Sequence, residues 1–214
     1  MSIAENVEKI RNSIPDDVLL VAAVKYASNE QILELVKAGA KDFGFNTYQQ
    51  LREAKALLPS DARIHFIGHL QSNKVRKVLQ EKAFLVQSVD SYNLAEKIDD
   101  VAGKLGIKQG ILLQIKTDET KKHGFSASEA ENIALKINNS MKNINIKGLM
   151  TIPPLSENPD NSRMYFSLVK NLFGNLSKKM DKKLEYLSMG MSDDYKAAIE
   201  EGANMVRIGR ALIR

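Results

Sequence analysis

The feature that most restricts the fold is a regular alternation. From one end of the 214 residues to the other, short apolar or β-branched runs are each followed by a stretch with helical character. The runs Leu19–Lys25, Lys41–Phe45, Ile64–Ile67, Ala83–Val86, Gly110–Lys116, Ile146–Thr151, Leu184–Leu187 and Met205–Ile208 read as strands. Helical patterns cover Glu30–Ala38, Tyr48–Leu58, Asn93–Leu105, Ser128–Met141, Asn161–Lys178 and Tyr195–Glu201. That makes about eight βα units, the number that closes a TIM barrel, (β/α)8. The same alternation also produces the doubly wound open sheet, which is the rival architecture. Ser28-Asn29-Glu30-Gln31 and Ser126-Ala127-Ser128-Glu129 supply helix starts, and Gly39, Gly106 and Gly202 stand where helices should stop. Ser2–Asn12 reads as an extra N-terminal helix covering the bottom of the barrel, and the three prolines of Ile152–Asp160 mark the longest irregular loop. One α/β domain over residues 1–214 is expected.

Composition narrows the function. With 43% hydrophobic and 27% charged residues the chain can bury one sizeable core. The absence of cysteine excludes disulfides and thiolate chemistry and fits a reducing compartment. No run approaches the roughly 18 apolar residues that cross a bilayer. Met1 to Pro15 is polar and acidic rather than signal-like, so a cytoplasmic location with no membrane partner is expected. The net charge of +5 raises the question of nucleic acid. Its lysines, however, lie in scattered pairs such as Lys121-Lys122, Lys178-Lys179 and Lys182-Lys183, which read as solvated helix faces. No exposed apolar helix face is evident, so a monomer is expected.

Three positions could carry chemistry. Lys25 is the only charge in its apolar strand, and period-two alternation puts it on one face with Val21 and the small Ala23. A lysine facing into a barrel loses solvation, and its pKa is expected to fall from about 10.4 toward roughly 7 to 8, which makes a competent amine for a Schiff base. From this strand alone, a lysine snorkelling from the strand tip to solvent is the better account. Ser188-Met189-Gly190-Met191-Ser192-Asp193-Asp194 opens a helix after the seventh strand, and Gly209-Arg210 follows the eighth. Free N–H groups and hydroxyls at those two strand ends are what the phosphate site of a TIM barrel uses. Arg207 shares a face with Met205 and should point inward. A pyridine nitrogen of pyridoxal 5'-phosphate (PLP) is one partner for it, and a carboxylate from a neighbouring strand is another.

The segments Ala22-Ala-Val-Lys25, Asp42-Phe-Gly-Phe-Asn46, His65-Phe-Ile-Gly-His-Leu-Gln-Ser-Asn-Lys74, Gly148-Leu-Met-Thr-Ile-Pro153, Ser188-Met-Gly-Met-Ser-Asp-Asp194 and Met205-Val-Arg-Ile-Gly209 resemble, in order and over nearly the whole chain, the pyridoxal phosphate homeostasis proteins. The resemblance implies a barrel like the N-terminal domain of alanine racemase, without its second domain. It implies PLP on Lys25 as a Schiff base, phosphate around Ser188, Gly209 and Arg210, Arg207 near the ring nitrogen, and Asn46 and Met150 beside the cofactor. His69 and Ser72 are counted with this cofactor-binding set, and no metal ligand is expected. There are departures. Phe45 stands where the family has glutamate, making the wall behind Lys25 more apolar. Arg210 stands where a small Thr or Ser is common, and Lys122 matches a family lysine before Gly-Phe.

His65 and His69 straddle a strand end and a turn with no third ligand placed nearby. They read as packing and as loop hydrogen bonding with Ser72 and Asn73 rather than as a zinc pair. The role of His123 is not readable. The expected function is a PLP carrier or regulator without turnover of its own, with PLP-dependent apo-enzymes as partners. An amino-acid racemase or lyase using Lys25 and Tyr48 is the enzyme alternative, and a phosphate- or nucleic-acid-binding barrel the other.

Overall fold

A computed structural model describes residues 1–117, 123–154, 156 and 158–214, and in it the strands close into a barrel. The strands are β1 (Leu19–Ala23), β2 (Asp42–Phe45), β3 (Arg63–Phe66), β4 (Leu85–Val89), β5 (Gln109–Ile115), β6 (Ile144–Thr151), β7 (Tyr186–Ser188) and β8 (Met205–Ile208). All pair in parallel with their sequence neighbours, and β8 returns to β1 with Val21 opposite Arg207. That last pairing rules out the open sheet. The helices are α1 (Ile3–Arg11), α2 (Asn29–Lys37), α3 (Tyr48–Ala54), α4 (Val75–Gln80), α5 (Tyr92–Leu105), α6 (Ala127–Ser140), α7 (Arg163–Lys179), α8 (Tyr195–Glu200) and α9 (Arg210–Ile213). The expected cap at Ser28 is a full capping box with Gln31, and Ser126 accepts from the Glu129 N–H.

Two apolar layers hold the barrel. Outward-facing side chains such as Ala22, Val24, Phe43, Phe45 and Phe66 pack under the helices. Inside the barrel, Val21, Leu85, Leu112, Met150 and Met205 form a smaller cluster. Each large side chain so buried contributes about 1.5–3 kcal/mol. Phe45 therefore does not line a wall behind Lys25. It belongs to the helix-facing layer, because β2 alternates Asp42 and Gly44 inward with Phe43 and Phe45 outward.

The N-terminal helix does not cover the barrel floor. Asn6 near its start donates to the carbonyls of Leu212 and Arg214 beyond β8, while Arg11 at its end donates to Gly39 O before β2. The helix thus runs antiparallel to the strands beside α2 and α9, within the outer ring.

Element boundaries also differ where polar residues are buried. The run ending at Val86 continues through Gln87 and Ser88 to Val89, and β7 ends on Ser188, since these buried polar groups are hydrogen-bonded inside the fold. The pattern over Tyr48–Leu58 divides into α3 and a 3-10 turn, Lys55–Leu57. The short α4 follows a 3-10 turn at Ser72–Lys74. In β6, Gly148 accompanies a register shift against β5 and lets β7 approach so closely that a Cβ there would lie 1.8 Å from Tyr186 O.

Candidate functional site

The C-terminal mouth of the barrel gathers most of the expected residues on the arc formed by β6, β7, β8 and β1. The strand β1 stops at Ala23, and Lys25 stands two residues later, where the chain turns back with the Ala27 N–H bonded to Val24 O. Lys25 is exposed, contrary to the expected desolvation, because it stands past the end of β1 rather than within the strand. Its ammonium sits 4.8 Å from the centre of the Tyr26 ring and, by hydrogen bonding, holds that exposed phenol below its ordinary pKa.

Beside Lys25, the loops after β7 and β8 are stitched together. The Arg207 N–H donates to Gly190 O, the Ala211 N–H donates to Ser192 Oγ at 3.2 Å, and Arg210 pairs with Asp193. Gly190 adopts φ +92, and a Cβ on it would meet Ala198 Cβ at 2.7 Å. Gly209 passes so near β1 that a Cβ would lie 2.8 Å from Ala23 O. Asp194 accepts the Met191 N–H at 2.7 Å, and burial raises its carboxyl above the usual range.

Below the rim a row of hydrogen bonds crosses the barrel interior. Arg207 Nη1 donates to Ser188 Oγ at 2.7 Å, and Ser188 donates to Gln87 Oε1 at 2.7 Å. Gln87 Nε2 meets His65 Nδ1 at 2.9 Å, and His65 Nε2 meets Asp42 Oδ1 at 2.8 Å. Arg63 closes the row from the floor, with Nη2 at 2.6 Å from Asp42 Oδ2. Since Asp42 is a carboxylate acceptor and Gln87 presents its amide N–H, the row requires neutral His65 with its proton on Nε2. Burial lowers the His65 pKa and so favours that form. At Asp42 burial works to raise the pKa, but the hydrogen bonds from His65 and Arg63 outweigh it and hold the carboxyl low. Arg207 also donates Nη2 to Thr151 O at 2.9 Å, and burial lowers its pKa to about 10, so it is cationic at neutral pH.

Several readings change at this point. Arg207 does point inward, and its hydrogen bonds run to a hydroxyl and a carbonyl rather than to a carboxylate of a neighbouring strand. The Ser188 hydroxyl lies inside the barrel, hydrogen-bonded to Arg207 and Gln87, because β7 extends one residue further than its apolar run. His65 belongs to the interior row rather than to apolar packing. Met150 is fully buried on the inner face of β6, opposite Ser188 in the register. Asn46 directly follows β2 at the mouth, half-buried, whereas Ser72 is exposed in the segment after β3. His69 bonds Asp90 at 3.1 Å instead of Ser72 or Asn73, since the loop turns its ring toward the end of β4. Tyr48 begins α3 with its ring 5.6 Å from the Lys77 ammonium. Lys121 and Lys122 lie outside the described residues.

The alanine racemase N-terminal domain family matches residues 1–213. A pyridoxal phosphate homeostasis protein of Aquifex aeolicus is 40% identical over 198 residues, covering 90% of this chain and 85% of its own. The human pyridoxal phosphate homeostasis protein is 35% identical over 209 residues, covering 90% and 74%. Among solved structures, PipY of Synechococcus elongatus with PLP bound matches over 100% of both chains at 32% identity, with a TM-score of 0.91. Alanine racemase of Clostridium difficile shares the fold, at 20% identity and a TM-score of 0.76, over 99% of this chain and 58% of that one.

Proposed function

The chain belongs to the family of pyridoxal phosphate homeostasis proteins, and from that premise we propose that it holds PLP on Lys25 and serves cytoplasmic PLP and amino-acid homeostasis without turnover of its own. The observation that carries this reading is the convergence at one rim of an accessible amine, a buried guanidinium and two glycine-bearing loops. The donor set fits the cofactor. When bound, PLP supplies an electrophilic aldehyde and an electron-withdrawing pyridine ring.

The chain's own residues have separable tasks. The exposed Lys25 amine is accessible to an aldehyde and would be the residue that holds it. Backbone N–H groups of the Gly190 and Gly209 loops would receive the phosphate, with Arg210 adding positive charge at the rim. Arg207, cationic and hydrogen-bonded in place, would serve the ring nitrogen of a bound cofactor as a donor that does not give up its proton, and so would favour a weak electron sink. Asn46 and Met150 would lie beside the bound ring, and His69 and Ser72 stand further round the mouth. A weak sink and a rim open to solvent suit reversible holding and release to PLP-dependent apo-enzymes better than racemisation.

The test is the absorbance spectrum of the purified chain before and after adding PLP, repeated on Lys25→Ala. A visible band that borohydride removes from the parent, and that Lys25→Ala never develops, is the expected result. The same band in Lys25→Ala refutes attachment at Lys25, and alanine racemisation at enzyme-like rates refutes the carrier role.

A further inference from the structure

On the opposite arc of the same mouth, three side chains from three consecutive βα loops meet. His69 follows β3, Asp90 follows β4 and His123 lies between β5 and α6. Both imidazoles turn Nδ1 toward the same oxygen, Asp90 Oδ2, each at 3.1 Å, and their rings lie with centroids 4.2 Å apart and planes tilted by 32°. All three donor atoms lie within 4.8 Å of one another. We propose that His69, Asp90 and His123 form a binding site for a divalent transition metal ion of the zinc class.

The geometry suits that ion. Zinc bonds of roughly 2.0–2.1 Å in a tetrahedron put neighbouring ligand atoms about 3.4 Å apart, close to the 3.1 Å separations already present. Two imidazole nitrogens and one carboxylate oxygen select zinc and its d-block neighbours over magnesium or calcium, which take oxygen ligands. Three protein ligands leave a fourth position for water or an anion.

The scaffold holds the donors before any ion arrives. Ser88 Oγ donates to Gly68 O at 2.5 Å, tying the His69 loop to β4 two residues before Asp90. Gly68 itself packs so tightly on β2 that a Cβ would lie 2.0 Å from Asn46 O. Beyond His123, Phe125 exchanges backbone hydrogen bonds with β5, its N–H to Gln114 O and its carbonyl from the Lys116 N–H. The Asp90 side chain is only 9% exposed, while both histidines are half-exposed and reachable by an ion. The plainer account of the trio is a carboxylate accepting two imidazole N–H bonds, and metal titration separates the two.

The experiment uses the full chain, without a histidine tag and stripped with chelator, titrated with Co2+ by ligand-field absorbance and with Zn2+ by calorimetry. One ion per chain with tetrahedral-type Co2+ bands, a Kd below about 10 µM and no displacement by Mg2+ is expected. His69→Ala, Asp90→Asn and His123→Ala should each weaken binding at least about tenfold. No saturable binding, or binding that survives all three substitutions, overturns the proposal. Lys25→Ala is expected to bind the ion as the parent does, which keeps this test independent of the PLP reading.

Discussion

Ser188→Ala tests the interior row most directly. The hydroxyl is fully buried, accepts from Arg207 and donates to Gln87, both at 2.7 Å. Alanine fits the space but removes a charge-assisted bond worth about 1.5–3 kcal/mol and leaves the Gln87 carbonyl oxygen unmet in a site closed to water, which costs about 1–3 kcal/mol. Partial relaxation of Arg207 toward Thr151 trims the sum, so a loss of about 2–4 kcal/mol is expected, a large part of the total stability of a domain. With a urea m value of about 3 kcal/mol/M the unfolding midpoint should fall by about 1 M. Far-UV circular dichroism of the cofactor-free protein measures it. A midpoint shift below about 0.2 M, equivalent to roughly 0.5 kcal/mol, would refute the reasoning. A defect confined to PLP binding, with stability untouched, would return Ser188 to a phosphate-binding role.

Stability should also depend on pH through the same row. His65 has a lowered folded pKa, so the unfolded chain takes up a proton near pH 6.5 that the folded chain refuses. Its contribution is complete above about pH 6.5 and is lost as pH falls toward the folded value, so the urea midpoint should drop between pH 8 and pH 5.5. A drop no smaller in His65→Gln would count against this origin. Asp42, also lowered, adds a second loss in more acid solution, below about pH 4, which Asp42→Asn should abolish in acid scans. Gly148→Ala places a Cβ 1.8 Å from the Tyr186 backbone, so β6 and β7 must separate. Insoluble protein, or a loss above about 3 kcal/mol, is expected by expression and urea titration, against about 1 kcal/mol for Gly106→Ala, which meets nothing within 4 Å.

The barrel was legible because short apolar runs alternate with helical patterns that carry capping residues, signals that survive in one dimension. Arg207 was legible for the same reason, as a lone charge in an apolar strand. Lys25 was placed correctly in the chain but not in its environment. Strand parity gives the face, whereas exposure depends on what stands above the strand end. The interior row went unread because Asp42, His65 and Gln87 stand on three different strands and meet Ser188 and Arg207 on two more, so only the closed barrel lines them up. The same residues that shortened the expected β4 and β7 are the ones that join the row. His69, Asp90 and His123 carry no shared spacing, since their meeting depends on the closure of consecutive βα loops.

The direction of the interior hydrogen bonds has a consequence for anything that enters the mouth. Arg207 can only donate and the Asp42 carboxylate can only accept, so the hydrogen bonds that link them through Ser188, Gln87 and His65 run one way and cannot reverse. Rotamers, the amide orientation and the imidazole tautomer are therefore settled when the chain folds. A molecule arriving at Arg207 meets a guanidinium whose plane is already chosen, and little side-chain entropy remains to be lost on contact.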